Sequence, residues 1–446
     1  MRIRYCFDHV IVHGLGKTGV AAVHFLADKA TKITVIAKNI SSPEAKILQA
    51  DIPTLEVQSE TKQTTLPNTA TLVLKSPGIL PSHRFYTCAN QIQCPVISDI
   101  ELFALFAKAP IIAITGTNGK STVTHLVHDM LAACGYRVST GGNVGTPALS
   151  LLASPVPDYY ILELSSFQLA HTTHLNAKVG VLLNIAPDHI KWHGSVDAYI
   201  SAKYRLLAQS AVQVVARGLN LGKYPHVSFG TQAPTGQNLG EITRHGQTFL
   251  ARGKKTLLNI NLLSPTLQLP HNRQNCLAAL GVLAALNSIN ASALNTLKDF
   301  KGLPHRLECI LTDQHISWFN DSKATNLAAS ITAINSISQT HKKQIIWIGG
   351  GILKETDLTD ITKAVAIQVK ACIFFGEGGL TLFKALKEVC PSIYQRCLKT
   401  TIEAAKNLAT FGDVVLFSPG GASFDLFDSF EQRGDRFKFY VATPHE

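Results

Sequence analysis

An apolar run, PIIAIT at 110–115, leads into GTNGKST and then into a helix-like stretch, TVTHLVHDMLAACG. This order constrains the fold more than any other feature of the chain. Backbone N–H groups of such a turn, together with the start of the following helix, point at anionic oxygens. The strand before the turn belongs in a parallel sheet, because a crossover helix follows it. Gly116, Thr117, Asn118, Gly119, Lys120, Ser121 and Thr122 are therefore the expected cradle for the phosphates of ATP. Lys120 supplies a point charge to the outer phosphates, and the Ser121 hydroxyl can hold a magnesium ion. Ile114 stands where the general phosphate-loop pattern has its first glycine.

Short β-rich runs alternate with helical stretches along most of the chain, at 9–13, 33–36, 72–74, 111–115, 160–164, 179–184, 345–348, 371–375 and 414–417. Many end in Gly, Ser, Asn or Asp, at the carboxyl edge where open α/β sheets bind ligands. The 446 residues suggest roughly three domains. Boundaries are expected near CPVISD (94–99) and GLPH (302–305), giving domains of 1–98, 99–302 and 303–446. The polar, Gly-rich segment 216–268 reads as small antiparallel strands attached to the middle domain.

Composition narrows the function classes. With 46% hydrophobic and 16% charged residues the chain is globular, and no apolar run reaches membrane-spanning length. Nine cysteines without a CxxC pair favour reduced thiols, and no cleavage site follows an apolar leader, so a cytoplasmic protein is expected. The net charge of +11 fits an anionic partner. No basic run interleaved with aromatics marks nucleic acid, and phosphorylated small molecules explain the charge equally well.

Other candidates lie at strand ends. Gly14-Leu15-Gly16-Lys17-Thr18-Gly19 matches GxGxxG, yet Ala37-Lys38-Asn39 occupies the place of the acidic residue that a dinucleotide ribose requires. A diphosphate held by backbone N–H groups and a turn without ligand both remain open. Glu163, closing YYILE, can bind magnesium or cap the next helix. His189 can ligate a second ion or serve the fold. Lys203 reads as a solvated helix lysine, and Lys323 as either a loop lysine or a stabiliser of a developing anion.

Taken together, several segments resemble the Mur ligase family, ATP-dependent amide-bond-forming enzymes of bacterial cell-wall precursor synthesis. They are GTNGKST, GGNVG (141–145), ELSSFQL (163–169), the DH of Asp188 and His189, YISAK ending in Lys203, HNRQN (271–275), GLPHR (302–306), NDSKATN (320–326), GGILK (350–354) and SPGGASFD (418–425). ELSSFQL with NDSKATN and SPGGASFD resembles the combination of the branch that adds D-glutamate. The resemblance implies Rossmann-like N- and C-terminal domains flanking a central P-loop ATPase domain of α/β type. It implies two magnesium ions, D-glutamate and UDP-N-acetylmuramoyl-L-alanine as substrates, no nucleic acid, no membrane insertion, and a monomer.

The resemblance also distributes the residues. Gly16, Lys17, Thr18, Gly78, Asn143, Ser165 and Gln168 would contact the UDP substrate. Asn275, Arg306 and Asp321 would join the phosphate loop around ATP, with Lys120, Glu163, His189, Lys203 and Lys323 catalytic. Ser121, Glu163, His189 and a carbamylated Lys203 would bind metal, and Thr325, Lys354, Ser423 and Phe430 would surround D-glutamate. Three departures are Ala37, in place of an acidic residue near the uracil, Lys191 within DHIKWH, and the alanine and serine after SPGG, small residues whose match counts less. Rival readings are a ligase for another amino acid or for folate, a nucleotide-binding protein without turnover, and a nucleic-acid-dependent ATPase.

Overall fold

The computed structural model describes residues 7–443 apart from 42, 53, 62–63, 220–225, 314, 340 and 354–355. The fold is mixed α/β, with three sheets rich in parallel strands. The first has five parallel strands, β1 (Phe7–His13), β2 (Ala30–Ala37), β3 (Leu55–Ser59), β4 (Leu72–Lys75) and β5 (Val96–Ser98), in the order β3-β2-β1-β4-β5. Helices cover both faces of such a sheet, which is why its central strands read as unbroken apolar runs. The last five residues of β1 are all buried.

The second sheet holds β6 (Ile111–Thr115), β7 (Val138–Gly142), β8 (Tyr159–Glu163), β9 (Ala177–Leu182), β10 (Ser210–Ala216), β11 (His226–Phe229), β12 (Leu239–Arg244), β13 (Gln247–Arg252) and β14 (Lys255–Asn259). Its order is β14-β13-β12-β11-β10-β9-β6-β8-β7. The segment expected as small antiparallel strands is thus partly different. β11 runs parallel to β10 and β12, and only β12, β13 and β14 pair antiparallel. Polar alternation marks a strand with one solvated face; it does not encode strand direction.

The third sheet contains β15 (Glu308–Asp313), β16 (Ile316–Asn320), β17 (Ile345–Gly350), β18 (Val369–Phe375), β19 (Ser392–Gln395) and β20 (Val414–Gly420), ordered β15-β16-β20-β17-β18-β19. The hairpin β15–β16 is antiparallel and the remaining pairs are parallel. Each of the nine β-rich runs picked out in the sequence overlaps one of these strands. Two compact units result. Met1–Leu262 with Gln274–Asp299 carries the first two sheets, and Leu263–Arg273 with Phe300–Glu446 carries the third. No described helix is long and apolar enough to cross a membrane.

Candidate active site

In the second sheet β8, β6 and β9 are neighbours, so their carboxyl ends deliver three groups to one place. β6, buried throughout, ends in the glycine loop, and the helix Lys120–Ala133 starts directly after Gly119. Gly119 adopts φ +83°, a left-handed conformation that glycine takes without strain. The segment after β9 holds the loop in shape. Thr117 N–H donates to the Asn184 carbonyl (3.0 Å), and Asn118 N–H donates to Asn184 Oδ1 (2.9 Å). The Thr117 hydroxyl lies 2.8 Å from the Tyr199 hydroxyl and accepts the Ala186 N–H at 2.9 Å.

β8 ends at Glu163, which is buried. Its carboxylate accepts a hydrogen bond from the Ser121 hydroxyl and another from Asn143 Nδ2 at 2.9 Å. Glu163 is therefore no helix cap; Ser165 takes that role, its hydroxyl accepting the Gln168 N–H at 3.2 Å. Gln168 returns the bond by accepting the Ser165 N–H (3.1 Å), and its Nε2 donates to buried Asp99 (3.3 Å). Burial pushes the Asp99 carboxyl up to about 6. The Gln168 side chain, 2% exposed, thus spends its polar atoms inside the protein.

Lys203 overturns its sequence reading as a solvated lysine. On the helix Val196–Ala208 the buried positions are Tyr199, Ala202, Lys203, Leu206 and Leu207, so this lysine lies on the inward stripe. It is 2% exposed, and its ammonium donates to the Gly116 carbonyl at 2.8 Å. Lys120 donates to that same carbonyl and to Thr117 O, each at 2.9 Å. Burial, reinforced by the Lys120 charge, holds Lys203 well below the ordinary lysine value, against the pull of Asp188 and Glu163. A lysine so depressed has an amine able to act as a nucleophile.

His189 starts the short helix Ile190–His193 with φ +55°. Its Nε2 lies 3.4 Å from Asp188 Oδ2, and its ring packs on Phe167 at 4.7 Å. The hard oxygen donors Ser121 and Glu163, with Asp188 in electrostatic reach of Lys203, suit a divalent ion of the magnesium class. Asn275 sits against the loop, since a Cβ added at Gly119 would meet Asn275 Oδ1 at 2.5 Å. Asp188 and Tyr199 were not singled out from sequence as working side chains. The DH pair after an apolar strand was the available signal for the first, and nothing marked the second.

In the third sheet the carboxyl ends of β16, β20 and β17 are adjacent. Asp321 accepts from Leu307 N–H (3.2 Å) and from the Ser418 hydroxyl (2.7 Å). Burial raises its carboxyl to about 7, opposed by Ser418, Leu307 and the Arg306 and Arg433 charges. The Lys323 ammonium lies 3.7 Å from the centre of the Phe430 ring, and Ser423 is buried nearby in sequence to that helix start. Thr325 is half-buried; Lys354 lies outside the described residues. Arg433, fully buried, ties these loops together. It donates to Ser322 Oγ (3.0 Å), Ser322 O (2.8 Å) and Gly421 O (2.9 Å). Nothing in the sequence separates this arginine from its exposed neighbours on the helix Phe430–Ala442.

In the first sheet, Gly16 caps the helix Lys17–Leu26 without a side-chain bond, and both Gly16 and Lys17 are exposed. Ser76, after β4, donates its hydroxyl to Gly14 O at 3.4 Å, which brings the 76–78 turn beside the first glycine loop.

Comparison with known proteins agrees with this geometry. Profiles of three family domains match in succession: the MurD-like N-terminal domain at 8–98, the Mur ligase middle domain at 114–283 and the glutamate ligase domain at 305–421. The chain belongs to the Mur ligase family. Among its Mur ligase relatives is the UDP-N-acetylmuramoylalanine--D-glutamate ligase of Nitrosococcus oceani, 38% identical over 434 residues, covering 96% of this chain and 95% of that protein. The protein of the same name from Legionella pneumophila (strain Paris) is 36% identical over 437 residues, covering 96% and 97%. Solved Mur ligases share the fold. UDP-N-acetylmuramate-alanine ligase MurC from Thermotoga maritima gives a TM-score of 0.61 at 18% identity, over 97% of this chain and 98% of that one. MurF ligase from the same organism, in complex with ADP, gives 0.61 at 16% identity, over 99% of each chain.

Proposed function

We propose that this Mur ligase joins D-glutamate to UDP-N-acetylmuramoyl-L-alanine at the expense of ATP, in the cytoplasmic synthesis of peptidoglycan precursors. The carrying observation is identity of 36–38% over nearly the whole chain to relatives bearing that activity in their names. The domains are taken as 1–98 for the UDP group, 99–302 for ATP and 303–446 for the amino acid, acting in a monomer.

A carboxylate resists attack by an amine because its charge and resonance oppose it. Phosphorylation removes that obstacle: a substrate carboxylate oxygen bonds to the γ-phosphorus as the bond to the ADP oxygen breaks. The amine of D-glutamate then bonds to the acyl carbon, loses a proton, and the tetrahedral adduct expels phosphate. Lys120 balances charge on the transferring group, which is mostly positioning and electrostatics. Ser121, Glu163 and His189 are assigned to hold two magnesium ions, which supply charge neutralisation at the phosphates when bound. Lys203 joins them once its depressed amine has added to carbon dioxide and lost a proton, turning a cation into a carboxylate-like ligand. Asn275, Arg306 and Asp321 take the remaining ATP contacts. Lys323 stabilises the anionic adduct, and Thr325, Lys354, Ser423 and Phe430 receive D-glutamate. Gly16, Lys17, Thr18, Gly78 and Asn143 receive the UDP substrate. Ser165 and Gln168 receive it too, held in place by their capping pair.

The test is phosphate release with UDP-N-acetylmuramoyl-L-alanine and a panel of amino acids. Turnover with D-glutamate and with no other member is expected; preference for another amino acid overturns the assignment. Lys203→Ala should lose turnover and regain part of it with added short-chain carboxylates. Full activity of that variant refutes the role of Lys203.

A further inference from the structure

A cluster at the carboxyl edge of the first sheet lies beside the turn assigned to the UDP substrate and includes none of the residues assigned to receive it. His13 ends β1, Glu60 follows β3, and His83 caps the helix Arg84–Gln91. One donor atom from each gathers within 4.8 Å of the others. His83 Nε2 lies 2.8 Å from Glu60 Oε1, and His13 Nε2 lies 3.5 Å from Glu60 Oε2. The His13 side chain is 0% exposed, and its Nε2 faces the Glu60 carboxylate at a distance too long for a good hydrogen bond. A buried polar atom left in this way is costly unless something completes it.

We propose that His13, Glu60 and His83 form a binding site for a divalent transition ion of the zinc class. Two imidazoles and one carboxylate are the donor set of three-ligand zinc sites, which keep a fourth position for water. Magnesium and calcium prefer oxygen donors throughout, so this cluster differs in kind from the Glu163 site. Bonds of about 2.0–2.2 Å in a tetrahedron set donors roughly 3.4 Å apart, and the two separations above lie on either side of that value.

The surroundings favour an ion. The buried His13 ring presents its Nε2 toward Glu60. Its Nδ1 lies 3.0 Å from the Tyr86 hydroxyl, an outer contact that fixes the ring and leaves Nε2 facing inward. Glu60 and His83 are 13% and 24% exposed, which gives the ion a route in. One feature opposes binding. His83 accepts the Phe85 N–H on Nδ1 at 3.3 Å, so its proton resides on Nε2. Binding at Nε2 shifts that proton to Nδ1 and so breaks the long cap bond, which holds the affinity below that of a fully prepared structural site.

Zinc(II) titrated into chelator-stripped protein in excess magnesium, read by calorimetry and thermal unfolding, tests the proposal. His13→Leu keeps an apolar filling, and His83→Asn keeps a helix-capping side chain while removing the imidazole. Wild type is expected to bind one zinc equivalent more than either variant and to gain a higher melting temperature from it. Equal zinc stoichiometry in wild type and a folded variant, or no zinc-dependent rise in wild type, overturns it. Should His13→Leu fail to fold, His83→Asn gives the same readout.

Discussion

Two glycine loops in this chain share one plan, strand then turn then helix, and differ in what surrounds them. The loop after β1 is open at its tip: Gly16 has no side-chain cap, and a Cβ added there would meet nothing within 4 Å, although Ser76 lies against Gly14. The loop after β6 is enclosed by Asn184, Tyr199, Asn275, Lys120 and Lys203. The comparison teaches that the turn alone provides anion binding through backbone N–H groups. Bond-making requires the additional shell of fixed charges, which act with least reorganisation when they are pre-placed.

The largest test of that contrast removes the charge from the enclosed loop. Lys120→Ala should lower turnover by about 10²–10³-fold or more, while the melting temperature stays close to wild type; phosphate release and thermal unfolding measure the two. Turnover within a few-fold of wild type would erase the distinction between the loops. Next comes Gly119→Ala, which places a side chain at φ +83° against Asn275. A cost of about 1–2 kcal/mol for the left-handed backbone is expected, visible as a lower denaturation midpoint together with weaker ATP binding.

Acid should act on both regions. Burial holds His13, near the first loop, and His171 and His193, in the central part, at about 4, below the ordinary 6.5. The unfolded chain therefore takes up protons first. Stability from these groups is complete above pH 6.5 and is lost as pH falls toward 4. Asp99, raised from 3.8 to about 6, works in the opposite sense: its contribution is complete below 3.8 and is lost as pH rises through 6. Asp321, raised to about 7, acts like Asp99, and His271, held by burial at about 4, acts like the other histidines. Four groups outweigh two, so denaturation midpoints should drop between pH 6.5 and 4, and a rise over that window contradicts the assignment. The smallest effect is Gly16→Ala. With φ −80° and open space around it, stability should change by no more than about 0.5 kcal/mol. A change larger than that of Gly119→Ala would reverse the ranking.

Much of the fold was legible because parallel strands buried on both faces leave unbroken apolar runs, as in PIIAIT and the IIWIGG of β17. The strand–turn–helix around GTNGKST was legible because its signal is local to seven residues. What escaped depends on partners distant in sequence. The burial of Lys203 follows from packing of its helix face against a carbonyl 87 positions away. Arg433 gains its role from loops that end β16 and β20. The direction of β11 depends on sheet partners, and residue alternation carries no information about them. The motif around Gln168 is distinctive, but the capping box and the Asp99 contact of its amide depend on the fold and could not be read from it.

The sheet that carries the phosphate loop ends in β14, and that edge has a bearing on solubility. An outermost strand offers a row of N–H and C=O groups on which another copy could add. Here the edge strand is only five residues long and begins with Lys255, directly after Lys254, whose carbonyl accepts from Arg244 at 2.9 Å. Short length and cationic flanks make association through this edge unfavourable, because two copies would bring like charges together. Replacing both lysines with threonine should leave catalysis untouched and promote concentration-dependent self-association, a liability that the present sequence keeps at a distance from its working loops.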